Sequence, residues 1–185
     1  MTSTLVIGGA RSGKSAYAER LALASGREIV YIATASAGDD EMAGRIAHHR
    51  SRRPPHWITV EEPLALAAQL QRWSAPQRLV LVDCLTLWLS NLIFCDSAGY
   101  PDIGVIALPA RFERERASLL HVLAHPGGDI VLVSNEVGMG IVPFGAVSRR
   151  FADEAGRLNQ ELAALCERAV LVAAGLPLML KGQAC

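Results

Sequence analysis

Residues Gly8 to Ser15 read Gly-Gly-Ala-Arg-Ser-Gly-Lys-Ser: a glycine, four free positions, then Gly-Lys-Ser. A loop of this pattern wraps its backbone N–H groups around a phosphate chain. The lysine, Lys14, reaches the β- and γ-phosphates, and the hydroxyl of Ser15 holds Mg²⁺. The flanking residues agree with that reading. Leu5-Val6-Ile7 predicts a strand, and Ala16 to Ser25, rich in Ala and Leu, predicts a helix that ends at Gly26. Strand, glycine loop and helix N-terminus together make an anion site.

The rest of the chain repeats the alternation. Glu28–Ala33, Trp57–Val60, Arg78–Val82 and Asp129–Val133 read as strands. Asp39–Arg52, Pro63–Trp73, Leu85–Phe94, Ile106–Ala124 and Gly145–Glu167 read as helices. Ala169–Ala173 and Leu178–Lys181, separated by Gly175 and Pro177, read as a final strand pair, and Cys95–Gly104 as a loop. Short apolar strands alternating with helices predict an α/β fold with a mainly parallel sheet of about seven strands and a C-terminal antiparallel pair. With 185 residues and no linker, one domain spanning 1–185 is expected.

Composition removes several function classes. Eighteen Lys and Arg balance eighteen Asp and Glu, so no basic surface for nucleic acid or anionic lipid is expected. Half the residues are hydrophobic, yet the longest unbroken apolar run is Ala169–Ala174, far short of a membrane span of about 20 residues. The N-terminus enters a strand directly without a signal-peptide pattern. Cys84, Cys95, Cys166 and Cys185 are scattered, as suits reduced thiols in a cytoplasmic protein.

Three further places bear on chemistry. Asp83 closes the apolar run Leu79–Val82, where a nucleotide-binding sheet presents a carboxylate to Mg²⁺. At about 100° per residue, Glu41, Arg45, His48 and Arg52 share one helical face, while Met42, Ile46 and His49 share another. An imidazole among guanidinium groups suits attack on phosphorus, and a solvated charged helix face is the alternative. Asn135-Glu136-Val137-Gly138-Met139-Gly140 follows a strand, either as a loop beside the phosphates or as an ordinary turn. Trp57, Trp73 and Trp88 are read as core or interface residues rather than as a stacking platform.

The octet, Tyr31-Ile32-Ala33-Thr34-Ala35, Asp39–Met42, Arg45–Arg50, Asn135–Pro143 and Ala155-Gly156-Arg157-Leu158-Asn159-Gln160 occur in this order along nearly the whole chain. In this the sequence resembles the bifunctional adenosylcobinamide kinase / adenosylcobinamide-phosphate guanylyltransferase family of cobalamin biosynthesis. The resemblance implies a P-loop NTPase-like three-layer fold, assembled as a homotrimer. It implies phosphorylation of the adenosylcobinamide hydroxyl by ATP or GTP. It also implies transfer of GMP from GTP to that phosphate, giving adenosyl-GDP-cobinamide and pyrophosphate.

By resemblance, His48 carries GMP covalently and is catalytic together with Lys14. Nucleotide contacts carry over to Gly8, Gly9, Ala10, Arg11, Ser12, Gly13, Lys14, Ser15, Ala33, Thr34, Ala35, His49, Arg50, Ser51, Arg52, Glu61 and Asp83. Ser15 and Asp83 are the expected Mg²⁺ ligands. Asp83 stands where some relatives carry Glu; either serves magnesium. Asp83 and Glu136 are the candidate bases for the kinase step, and Arg45, Arg50 or Arg52 the candidate stabilisers of the transferring phosphoryl group. Two rival readings are a small-molecule kinase without guanylyl transfer and a regulatory NTPase.

Overall fold

The computed structural model describes residues 1–35, 54–95 and 99–183. Along the chain come β1 (Ser3–Gly8), α1 (Lys14–Ala24), β2 (Glu28–Ala33), β3 (Ile58–Glu61), α2 (Leu66–Trp73) and β4 (Arg78–Asp83). Then follow α3 (Leu85–Ile93), α4 (Ala110–Ala124), β5 (Asp129–Asn135), α5 (Ala146–Leu165), β6 (Arg168–Ala173) and β7 (Leu176–Lys181). The strands form one seven-stranded sheet in the order β3-β2-β4-β5-β1-β6-β7. Every pairing is parallel except β6 with β7. The α/β architecture with a C-terminal antiparallel pair is therefore the one the alternating pattern predicts.

The central strands are apolar throughout because both faces of the sheet are covered. Alternate residues enter different cores. Leu5, Val30, Ile32, Val80, Val82, Ile130 and Leu132 pack under α2, α3, α4 and α5. Val6, Tyr31, Ala33, Leu79, Leu81, Val131 and Val133 pack on the opposite face with Tyr17, Ala18 and Ala22 of α1. Helices on both faces of one sheet complete three layers.

Several boundaries shift for local reasons. Helix α2 begins at Leu66 rather than Pro63, because the Glu62 carboxylate accepts the N–H groups of Leu64 and Ala65 at 3.0 and 2.8 Å and forms a turn first. Helix α4 begins after Pro109, which lies in an extended conformation at its N-cap. Strand β7 starts at Leu176 and includes Pro177, which an edge strand tolerates. Ala174 and Gly175, both at positive φ, make the two-residue hairpin turn between β6 and β7. The expected helix Asp39–Arg52 lies entirely within residues 36–53, outside the described residues.

Strand order reverses about β1, whose chain leaves toward β2 on one side while β6 lies on the other. In such sheets the ligand crevice lies beyond the carboxyl ends of the strands at the reversal. The register brings Gly8 level with Asn135, and Ala33 level with both Glu61 and Asp83. Five strand ends thus reach one edge.

Candidate functional site

The phosphate loop leaves β1 at Gly8 and enters α1 at Lys14. Its shape requires Gly13 at φ +94°, a left-handed conformation that side chains disfavour. Space demands a glycine at the entry too: a Cβ on Gly8 would lie 2.5 Å from the Val172 carbonyl oxygen. The first intrahelical bond of α1 is Tyr17 N–H to Gly13 C=O at 2.9 Å. The amides of Lys14, Ser15 and Ala16 therefore have no acceptor within the helix and point out of its N-terminus. The Ser12 hydroxyl oxygen is buried without a hydrogen-bond partner. These orphaned donors, together with the helix dipole, fit a polyphosphate.

Lys14 is 8 % exposed, and its ammonium donates to the Gly9 carbonyl at 3.1 Å. Burial lowers its pKa from the ordinary lysine value, and the nearby Asp83 carboxylate opposes that shift. A buried cation beside a helix N-terminus is poised for anionic oxygens.

Asp83 ends β4 on the α1 face of the sheet, since Leu79 and Leu81, four and two residues before it, pack into the α1 core. Tyr31 Oη donates to its Oδ2 at 3.1 Å. The Tyr31 ring stacks on Trp57 with centroids 6.4 Å apart. A hydroxyl and a carboxylate make an all-oxygen, singly anionic donor set. Ser15 and Asp83 therefore fit a hard divalent cation such as Mg²⁺, with water and phosphate oxygens filling the remaining positions.

Thr34, expected to contact nucleotide, is wholly buried. Its hydroxyl donates to the Cys84 carbonyl at 2.7 Å and accepts from the Cys84 amide at 2.9 Å. Asn91 Nδ2 donates to the Thr34 carbonyl at 2.8 Å and to that of Pro63 at 3.1 Å. Ala33 and Glu61 sit level with Asp83 across neighbouring strands, and Ala35 follows directly.

On the other side of Asp83, β5 runs on to Asn135. Thr86 Oγ1 accepts from both the Asn135 amide, at 2.9 Å, and its Nδ2, at 2.8 Å. Asn159 Nδ2 donates to the Asn135 carbonyl at 3.3 Å, which ties α5 to the same strand end. The Glu136 amide donates to the Gly8 carbonyl at 3.0 Å, so the segment after β5 does lie beside the phosphate loop. Further along α5, Glu154 is 2 % exposed and pairs with Arg150 and Arg157.

Thus the structure brings together Gly8 to Ser15, Ala33, Thr34, Ala35, Glu61, Asp83 and Glu136 along one sheet edge. His48, His49, Arg50, Ser51 and Arg52 lie outside the described residues, as does Arg45. Of the tryptophans, Trp88 is fully buried and Trp57 6 % exposed, while Trp73 lies under the guanidinium groups of Arg72 and Arg78. Tyr31, Thr86 and Asn91 are the site-supporting residues that sequence reading passed over. Tyr31 had a signal, two residues before Ala33 on the same strand face; Asn91, mid-helix, had none.

Residues 4–180 match the family described as cobinamide kinase / cobinamide phosphate guanyltransferase. The chain is 55% identical over 179 residues to the bifunctional adenosylcobalamin biosynthesis protein CobP of Pseudomonas aeruginosa, covering 97% of each. It is 43% identical to the bifunctional adenosylcobalamin biosynthesis protein CobU of Escherichia coli K12, covering 96% of this chain and 98% of that one. Among solved structures, it resembles an ATPase of a bacterial type III secretion system, with TM-score 0.55 at 13% identity over 92% of this chain and 50% of the other. It also resembles EscN, the type III secretion ATPase of enteropathogenic E. coli, with TM-score 0.54 at 14% identity over 94% and 43%. At such identities the likeness is one of fold.

Proposed function

Because this chain belongs to the cobinamide kinase / cobinamide phosphate guanyltransferase family, we propose that a single domain, 1–185, performs both family reactions on one phosphate loop. The enzyme is a cobinamide kinase and a cobinamide phosphate guanylyltransferase of cobalamin biosynthesis. The observation that carries the residue-level proposal is the convergence of the loop, Lys14 and Asp83 at one sheet edge.

In the kinase step the adenosylcobinamide hydroxyl oxygen attacks the γ-phosphorus of ATP or GTP, the bond to the β-phosphate oxygen breaks, and a nucleoside diphosphate leaves. The hydroxyl proton goes to a carboxylate, for which Asp83 and Glu136 are the candidates. The loop amides and Lys14 hold the phosphates in line, and this transfer is mostly positioning plus electrostatics. Bound Mg²⁺, held by Ser15 and Asp83, would neutralise phosphate charge.

In the second step an imidazole nitrogen of His48 attacks the α-phosphorus of GTP, and the bond to the β-phosphate oxygen breaks. Pyrophosphate leaves and GMP stays on the histidine as a phosphoramidate. The cobinamide phosphate oxygen then attacks that phosphorus, the P–N bond breaks, and adenosyl-GDP-cobinamide is released. Lys14 stabilises the departing charge. Ala33, Ala35, Glu61 and His49 to Arg52 complete the nucleotide surroundings in this reading.

Incubation with α-labelled GTP tests it. Wild type retains acid-labile, base-stable label, His48→Ala retains none, and phosphorylation of cobinamide persists in the variant. Label retained on His48→Ala overturns the assignment. Equal loss of both activities in a folded variant argues against separate chemistries.

The active assembly in this proposal is a homotrimer in the cytoplasm. Supporting it, Ile141, Val142 and Phe144 are 99 %, 75 % and 94 % exposed in one segment, which is costly for a lone subunit. Cys84 and Cys166 are free thiols, as a reducing compartment allows. No helix among the described residues is long and apolar enough to cross a membrane. Light scattering that gives a monomer mass overturns the trimer.

A further inference from the structure

We infer that Tyr31 and Thr34 act in both transfers as positioning residues for Asp83, and that Thr34 does so without touching nucleotide. The inference rests on the reading above in which Asp83 serves the metal–nucleotide complex.

Asp83 is the last residue of β4, and the chain turns into α3 at once through Cys84. A carboxylate at a strand terminus has ladder bonds behind it and none ahead, so its direction depends on what fixes the next peptide. Thr34, one residue past β2, supplies that fixation. Its amide donates to the Asp83 carbonyl at 3.3 Å and adds one rung to the β2–β4 ladder. Its hydroxyl closes on both the N–H and the C=O of Cys84. Asn91 holds its carbonyl from α3. The amide, the carbonyl and the hydroxyl in both its donor and acceptor roles are all engaged inside the protein, and the residue is 0 % exposed. No polar group of Thr34 remains for a phosphate or a ribose.

Tyr31 completes the constraint at the carboxylate itself. Its ring is 2 % exposed and stacked on Trp57, so the hydroxyl approaches Asp83 from a fixed direction. With Oδ2 bonded to Tyr31, Oδ1 is the oxygen available to a cation. Groups behind a metal ligand typically change metal affinity by about 10- to 100-fold when removed. One strand, β2, thus orients a ligand that belongs to its neighbour.

The experiment measures binding without turnover. Mn²⁺ affinity is read by electron paramagnetic resonance in the presence of a non-hydrolysable GTP analogue, and analogue affinity is read separately in EDTA. Tyr31→Phe and Thr34→Val should weaken Mn²⁺ binding by roughly 10-fold or more and leave analogue affinity in EDTA within about twofold. Thr34→Ser keeps the hydroxyl and should restore Mn²⁺ affinity. A parallel loss of analogue affinity in EDTA for Thr34→Val would show direct nucleotide contact and overturn the inference. So would unchanged Mn²⁺ affinity in Tyr31→Phe, a variant that decides the matter even if Thr34→Val does not fold. Asp83→Asn separates the two levels. If it leaves Mn²⁺ affinity intact, the metal role of Asp83 fails; if it weakens Mn²⁺ while Tyr31→Phe does not, only the positioning inference fails.

Discussion

The amide of Gly175 donates a 2.8 Å hydrogen bond to the carbonyl of Ser12, joining the β6–β7 turn to the phosphate loop. The contact is close as well as polar: a Cβ on Gly13 would lie 3.0 Å from Gly175 Cα. The loop is therefore moulded against a hairpin from the far end of the chain.

Gly13→Ala should damage the loop twice. The left-handed φ of +94° disfavours any Cβ, at roughly 1–2 kcal/mol, and the added methyl presses on the hairpin backbone. Thermal unfolding should show that loss, and a fluorescent GTP analogue should bind at least about tenfold more weakly. Wild-type affinity in the variant would show that the loop tolerates another shape.

Lys14→Met should trade activity for stability. Burial depresses the Lys14 pKa below its ordinary 10.5, so the unfolded chain holds that proton more tightly than the folded one. Stability therefore rises as pH climbs from the folded pKa toward 10.5, and at neutral pH the buried ammonium is a cost. The variant should melt higher than wild type at pH 8 without nucleotide, and the gap should narrow as pH approaches 10.5. Both activities should fall by about 100-fold or more. A variant that melts lower at pH 8 contradicts this account.

Thr86→Val should expose how much the end of β5 depends on one oxygen. It removes the acceptor of two Asn135 donors in a residue only 6 % exposed. Urea unfolding should show a loss of about 1–3 kcal/mol, with Thr86→Ser retaining most of the stability. Equal stability of the valine and serine variants would mean that Asn135 finds other acceptors.

Cys166 gives the alkaline limb its own signature. Burial raises its thiol pKa from 9.0 to about 11. The folded state keeps a proton that the unfolded chain releases, so this contribution is whole below pH 9 and is lost between pH 9 and 11, roughly 2–3 kcal/mol in all. Its sign opposes that of Lys14, so the comparison is between variants: Cys166→Ala should flatten the decline across that interval. An unchanged slope would remove Cys166 as its source.

The sheet was legible because burial on both faces writes continuous apolar runs, and Leu79–Val82 ending in Asp83 reads as a buried strand with a functional terminus. The phosphate loop was legible because its glycines answer to local backbone geometry. What surrounds Asp83 was not. Thr34 looks like a free hydroxyl next to a binding loop, and only the β2–β4 register reveals that Cys84 consumes it. Asn91 reaches back 57 residues to Thr34, a relation that no periodicity encodes. Helix starts shifted where a side chain or a proline changed the turn before them, as Glu62 and Pro109 do.

Strand β1 pairs with β5 and β6 alone, partners that begin more than 120 residues later. During synthesis the octet emerges more than 120 residues ahead of β5, so it has neither neighbour until residues 129–135 and 168–173 have followed. Contacts so distant in sequence form slowly, after loop-closure entropy has been overcome. A nascent chain therefore carries the nucleotide motif without its flanking strands until β5 and β6 have been made. The loop gains its contact with Gly175 only when the β6–β7 hairpin docks, so the mould for the phosphate site is among the last parts to close.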